Sequence, residues 1–362
     1  MKKTHKRIAL LMATMMLFSG CGKKPAESSE QEVPVTTAVE TEAEIATTTE
    51  SNLEEGKTLS VLTGEMVDEK VASNRIIACM INNIDVAMPQ SGISNADIVY
   101  ECVVEGGITR LMGIFQDYKK LEKLGPVRSA RHYYVDIANE YDAIYTHFGE
   151  TKYATSEIES LGINTLSGLS AIGGEVFYRD SSRVAPHNAY TNGSSLKKGI
   201  KSSNYESKNI FTDSRFDFNS EDQKLETENA KKAKKVNLTF NDYSHPYFEY
   251  NKEDGLYYRW QYNDKHIDDL TGEQLAYENI IVQFADYSDI DKNGYQDVNL
   301  VSSGDGYYVT KGKYVPITWS KSSKSDLTVF STEDGEELQV NPGKTWISLF
   351  PSKNKEKVTF EK

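Results

Sequence analysis

Five arginines and three histidines gather in one stretch of an otherwise acidic chain: Arg110, Arg128, Arg131, Arg179, Arg183, His132, His147 and His187. A guanidinium is a planar fork of donors that matches carboxylate and phosphate oxygens. Against a net charge of −13, this clustering reverses the local sign and points to an anionic ligand. Arg128, Arg131, Arg179 and Arg183 are the expected anion contacts. His187 and Asn188, in Ala185-Pro186-His187-Asn188, would orient the bound group. The plainer expectation is a set of independent salt bridges with the plentiful Asp and Glu.

The same stretch also reads as acid–base machinery for a phosphoester or glycan bond. His147 or His187 would move the proton, and Glu101 or Glu105 would be the second group. No G-x-S-x-G or H-E-x-x-H motif supplies a nucleophile elbow or a zinc site.

Local elements must position these groups. Gly106-Gly107 reads as a two-residue hairpin turn between IVYECVVE and ITRLMGIF. That turn pairs Glu105 with Ile108, Val103 with Arg110 and Glu101 with Met112. Alternation then puts Glu101, Glu105 and Arg110 on one face. The two carboxylates would stand about 13 Å apart along the strand, too far for a retaining glycosidase pair. From Pro126 to Tyr141, Val127, Ala130, Tyr134, Ile137, Ala138 and Tyr141 recur at helical spacing. A helix opening at Pro126 would put Arg128, Arg131 and His132 on one face of its first turns, where free N–H groups help to hold an anion. His147 ends the strand-like AIYTHFG, where α/β sheets tend to carry ligands.

RIIACMINN (75–83) reads as a buried strand and TSEIESLG (155–162) as a short helix. The expected fold is an α+β or α/β N-terminal domain over 58–203, a polar connection over 204–234 and a mainly β C-terminal domain over 235–362. Asp289, Asp291, Asn293 and Asp297 resemble the opening of a calcium loop. Leu300 stands where the bidentate Glu belongs, so a polar hairpin loop is expected instead of a metal site. No cofactor is called for. Cys79 and Cys102 lie in apolar runs and read as buried free thiols, though an exported location would allow a disulfide.

The N-terminus supplies an address. Lys2, Lys3, Lys6 and Arg7 precede an apolar run from Ile8 to Phe18, then Ser19, Gly20 and Cys21. This has the anatomy of a lipoprotein signal peptide over 1–20, with a diacylglyceryl group expected on the Cys21 sulfur. Residues 21–57, rich in Glu and Thr, read as a flexible tether reaching about 33 Å or more. The expected location is the extracytoplasmic face of a bacterial membrane. Cleavage after Gly20 removes those four basic residues and takes the net charge to −17. Such a chain is a poor partner for nucleic acid and should not lie flat on an anionic leaflet.

The blocks MINN (80–83), ADIVYE (96–101), VEGGITRLM (104–112), GPVRSAR (125–131), EYDAIYTHFG (140–149) and APHN (185–188) together resemble the YerB-like lipoprotein family. YYRW (257–260), TGEQLAYENIIVQ (271–283) and NPGKTWI (341–347) resemble that family's second domain. The resemblance implies an exported, lipid-anchored protein of two domains and brings no activity with it. The leading expectation is a non-enzymatic envelope protein that binds a wall glycan, a peptidoglycan stem carboxylate or a phosphorylated precursor. The alternatives are the hydrolase or transferase above, and an adaptor for membrane-bound wall-synthesis proteins.

Overall fold

Alternation along the first strands decides how the molecule is layered. In the computed structural model, which describes residues 55–362, β1 (Ile77–Asn82), β2 (Ile98–Val103) and β3 (Thr109–Phe115) are almost wholly buried. Successive side chains enter opposite cores. Ala78, Met80, Ile98, Tyr100, Cys102, Met112 and Ile114 pack on one side of the sheet, with Tyr133, Tyr134 and Ile137 of α1 (His132–Glu140). Ile77, Cys79, Ile81, Val99 and Leu111 pack on the other, with Phe248, Tyr257 and Trp346. Cys79 and Cys102 therefore face different cores and both are free thiols.

The N-terminal part is mixed, as expected. After α1 come β4 (Ile144–His147), α2 (Lys152–Leu161), β5 (Thr165–Ser167) and α3 (Gly193–Ser202). Thr151 caps α2 by accepting from the Ala154 N–H, and Gly162 closes it in the left-handed region at φ 65°. The C-terminal part is strand-rich: β6 (Lys235–Leu238), β7 (Tyr247–Asn251), β8 (Leu256–Gln261), β9 (Asn279–Asp289), β10 (Gln296–Asn299), β11 (Ser303–Thr310), β12 (Lys313–Ser320), β13 (Thr345–Pro351) and β14 (Val358–Glu361).

Among the described residues, twelve strands form one mixed sheet that runs through both parts. Its central order is β12-β11-β9-β13-β2-β3-β1-β4-β5. β13 pairs in parallel with β9 on one side and with β2 on the other. A second sheet contains β8, β7, β6 and β14 in that order. Asp289, Asp291, Asn293 and Asp297 lie in and beside the β9–β10 hairpin. Asp291 accepts from Tyr153 Oη at 2.9 Å, and Asp297 bonds His132 Nε2 at 2.8 Å. No described helix is long and apolar enough to cross a membrane.

Two local expectations are corrected. The hairpin is shifted by one residue: Cys102 faces Arg110, Val103 faces Thr109 and Glu101 faces Leu111. Glu105, Gly106 and Gly107 together form a short 3₁₀ turn, closed by Val104 N–H to Ile108 C=O at 2.8 Å. A one-residue slip sends a side chain to the other face. Glu101 and Arg110 thus part company. The segment 125–130 is extended and α1 begins only at His132. Its backbone is taken up by neighbours: Asn82 N–H to Pro126 O, Val127 N–H to Ala189 O, Arg128 N–H to Met80 O and Ala130 N–H to Gly149 O. A Cβ at Gly125 would sit 2.9 Å from the Ala189 carbonyl oxygen, so this close approach needs glycine.

One carboxylate at the edge of this core should make stability depend on pH. Asp97 precedes β2 and accepts from the Gln116 N–H at 2.8 Å. Burial first, then Asp117 and Glu65, push its carboxyl up to about 6, against the pull of Gln116 and Lys344. The unfolded chain loses this proton earlier than the folded one. The Asp97 contribution is therefore full below about pH 4 and falls away as pH rises to about 6, by at most about 3 kcal/mol. Urea midpoints for the wild type should drop across this window relative to Asp97→Asn. Parallel pH profiles for the two chains would refute it.

Candidate functional site

The extended segment 125–130 and the Glu105 turn bring three of the arginines together. Arg110 leaves β3 almost fully buried, donates from Nη1 to Ser129 O at 2.8 Å and reaches Glu105 Oε1 at 3.8 Å. Arg131, the residue before α1, grips the same carboxylate with a fork: Nε meets Oε2 at 2.8 Å and Nη2 meets Oε1. Its Nη1 donates to Ala130 O at 2.8 Å. Burial would raise the Glu105 carboxyl, but Arg131 and then Arg110 hold it below its ordinary value. Burial, followed by the positive charge of Arg131, brings Arg110 down to about 10.

Arg128 is differently placed. It is half-buried, and its one side-chain hydrogen bond is a long Nη1 contact to Pro186 O at 3.4 Å. Its Nε is buried and has no partner among the described residues. Burial first, then the repulsion of Arg131 and Arg179, lower its pKa. Arg179 is exposed, lies 4.3 Å over the Phe148 ring and donates to Asn188 Oδ1 at 2.8 Å. His187 Nδ1 meets Asn82 Nδ2 at 2.7 Å. Burial, then Arg128, lower the His187 pKa, which favours a neutral ring accepting at Nδ1 and donating at Nε2. Two guanidiniums thus hold one carboxylate, Arg128 and Arg179 extend the positive cluster beside them, and among the described residues this outer pair keeps donors free. That arrangement can hold a carboxylate or phosphate group.

The remaining expected site residues are occupied elsewhere. Arg183 spends its guanidinium on the carbonyls of Ala87, Met88 and Pro89, at 3.2, 3.1 and 2.8 Å. His132 bonds Asp297. His147 is 1% exposed, bonded to Gly149 O at 2.9 Å and Thr165 Oγ1 at 2.7 Å, with Glu150 at 3.4 Å. No hydrogen bond among the described residues joins His147 and His187 to each other or to Glu101 or Glu105. Among the described residues, His147 has Glu150 as its carboxylate neighbour, and the expected pairing with Glu101 or Glu105 is not formed.

Glu101 instead meets a buried cation outside the expected site residues. Arg259 on β8 donates from Nη2 to both of its oxygens at 2.9 and 3.0 Å, and both side chains are fully buried. Thr109 and Asn83 also donate to Glu101, at 2.8 and 3.3 Å. Nearby, Gln90 links Asn83 Oδ1 to His266 Nε2, at 3.2 and 2.6 Å. One signal was available: Tyr257, Arg259 and Gln261 are the inward positions of one strand, and polar groups there must find buried partners. Asn82 and Phe148 were missed as supports of His187 and Arg179. MINN and AIYTHFG contained them, but only the fold shows what they touch.

Residues 62–206 match the N-terminal domain, and 236–347 the C-terminal domain, of the protein family of unknown function DUF3048. The chain is 33% identical over 290 residues to YerB of Bacillus subtilis (strain 168), designated a candidate lipoprotein; the match spans 80% of this chain and 85% of that one. Its structure is similar to the crystal structure of YerB from Bacillus subtilis, with a TM-score of 0.75 and 32% identity. That match covers 84% of this chain and all of that one.

Proposed function

The chain belongs to the DUF3048 family, and from that premise we propose that it is a lipid-anchored envelope protein that captures an anionic group at Arg128 and Arg179. The observation that carries this reading is the buried, unpartnered Nε of Arg128 beside three further guanidiniums and a single bridging carboxylate. Arg110 and Arg131 neutralise Glu105 and set the positive field. Arg128 and Arg179 supply the free donors. Neutral His187 adds a donor at Nε2, and Asn188 holds Arg179 in place. The lipobox-like run ending at Cys21 lies outside the described residues. The anchor rests on that run and on the lipoprotein designation of the relative.

The test separates the outer arginines from the inner pair. Inorganic pyrophosphate titrated into the full chain should bind, with affinity falling as salt rises. Arg128→Gln with Arg179→Gln should weaken binding roughly ten- to a hundredfold, the size of one or two lost charge-assisted bonds. Urea stability should barely change, because one side chain is exposed and the other half-exposed. Unchanged affinity in the double variant would sink the assignment. Arg131 is unsuited to this test, since its removal strips Glu105 of its fork.

A further inference from the structure

The outer arginines sit among apolar tips. Val184, Val86 and Leu169 are 81%, 67% and 66% exposed, and no other large apolar side chain among the described residues is as bare. Scattered exposed apolar residues are ordinary. Here the three barest stand on loops tied to the arginine-bearing segments. Val184 follows Arg183, and its carbonyl accepts from the His187 N–H at 2.9 Å. Val86 stands beside Ala87, whose carbonyl accepts from Arg183. That bond ties the Val86 turn to the 180–188 loop. Leu169 Cδ1 comes within 4.0 Å of the Cβ position at Gly149, beside Ser129. Arg128 bonds Pro186 O, in the same loop as Val184.

Cationic forks on loops linked to those that carry bare aliphatic tips fit a boundary where phosphate groups overlie hydrocarbon. Resting on the anion-site reading above, we propose that this edge docks on a bilayer, with Arg128 and Arg179 on the phosphates of anionic phospholipids and Val184, Val86 and Leu169 dipping between the headgroups. The acidity of the rest of the chain confines the contact to this edge. Charges more than about 8 Å away are largely screened at physiological ionic strength, so the local arginines decide. A tethered domain needs only weak affinity, because a lipid on Cys21 would hold it at high effective concentration over the surface.

The experiment uses the full lipidated chain in nanodiscs, with an environment-sensitive dye on Val184→Cys. The two other thiols are buried, so the label goes to one place. On phosphatidylglycerol the emission should rise about twofold or more with a blue shift, as a dye entering the headgroup region does. It should stay low on phosphatidylcholine. Arg128→Gln with Arg179→Gln, or Leu169→Asp, should abolish the rise, and a dye on Val329→Cys should not respond. Equal emission on the two lipids, or a response at Val329→Cys, overturns the docking. If pyrophosphate still binds while Val184→Cys stays silent on both lipids, the membrane inference fails and the anion site survives. If pyrophosphate binding is also missing, both fail.

Discussion

Glu101→Ala should cost about 3–5 kcal/mol of folding free energy, measured by urea denaturation, because it strands the Arg259 charge inside the protein. Arg259 has no water to turn to: it is 0% exposed, with Trp346 at 4.2 Å and Phe248 at 5.4 Å from its guanidinium carbon. Its other acceptors are the Trp260 carbonyl at 3.3 Å and Gln261 Oε1 at 2.8 Å, which are dipoles and not charges. Burial pushes the Glu101 carboxyl up even against Arg259, and lowers the Arg259 pKa even against Glu101. Both shifts run toward the neutral forms, the sign of a pair whose desolvation outweighs its attraction. Replacing both ends should then be gentler than replacing one. Glu101→Leu with Arg259→Met should recover most of the loss. A single variant within 1 kcal/mol of the wild type would contradict this account.

A loss of similar size is expected for Glu140→Gln. Glu140 ends α1 and is the carboxylate between two buried cations: Lys321 Nζ at 2.9 Å and Arg215 Nη2 at 3.9 Å. It also accepts from the Thr328 N–H at 3.0 Å and Thr328 Oγ1 at 3.2 Å. Burial works against the Arg215 charge, yet Tyr141, Tyr100 and Glu140 together raise its pKa above the ordinary value. An amide keeps the shape and one acceptor but leaves Lys321 and Arg215 facing each other uncompensated. The cost should again be about 3–5 kcal/mol. Lys321→Met introduced into the same chain should return part of it, and a second replacement that only deepens the loss would show that Lys321 packing, not its charge, is at stake.

These two networks also mark the limit of what the chain reveals unfolded. The strands 77–82, 98–103, 109–115 and 144–147 and the helix 152–161 follow from apolar runs, turn residues and capping, which act over a few neighbours. Val127, Ala130, Tyr134, Ile137, Ala138 and Tyr141, read from their helical spacing, are all buried. Their spacing suits a helix throughout, yet the first two belong to an extended segment, because long-range backbone partners claimed it. The hairpin slip has the same origin. A Gly-Gly pair permits a two-residue turn, but Glu105 joins the turn and receives the Arg131 fork from 26 residues away. For the candidate site, the arginines themselves were visible as a charge reversal. Which of them keep free donors was not, since Arg183 is consumed by three carbonyls and Arg128 is not. Nothing local hints that Glu101 and Arg259 meet across 158 residues.

The position of β13 has a consequence for synthesis. A chain that emerges N-terminus first makes β2 long before residues 345–349 exist, and among the described residues those five pair one edge of β2 from Ile98 to Cys102. Until they arrive, that edge carries unsatisfied N–H and C=O groups, and Phe248 and Tyr277 lack the Trp346 ring they pack against. Completion of the early half therefore awaits residues 345–349. A chain cut short anywhere before residue 345 would present an open strand to its neighbours, and the cell would meet it as an aggregate and not as half a protein.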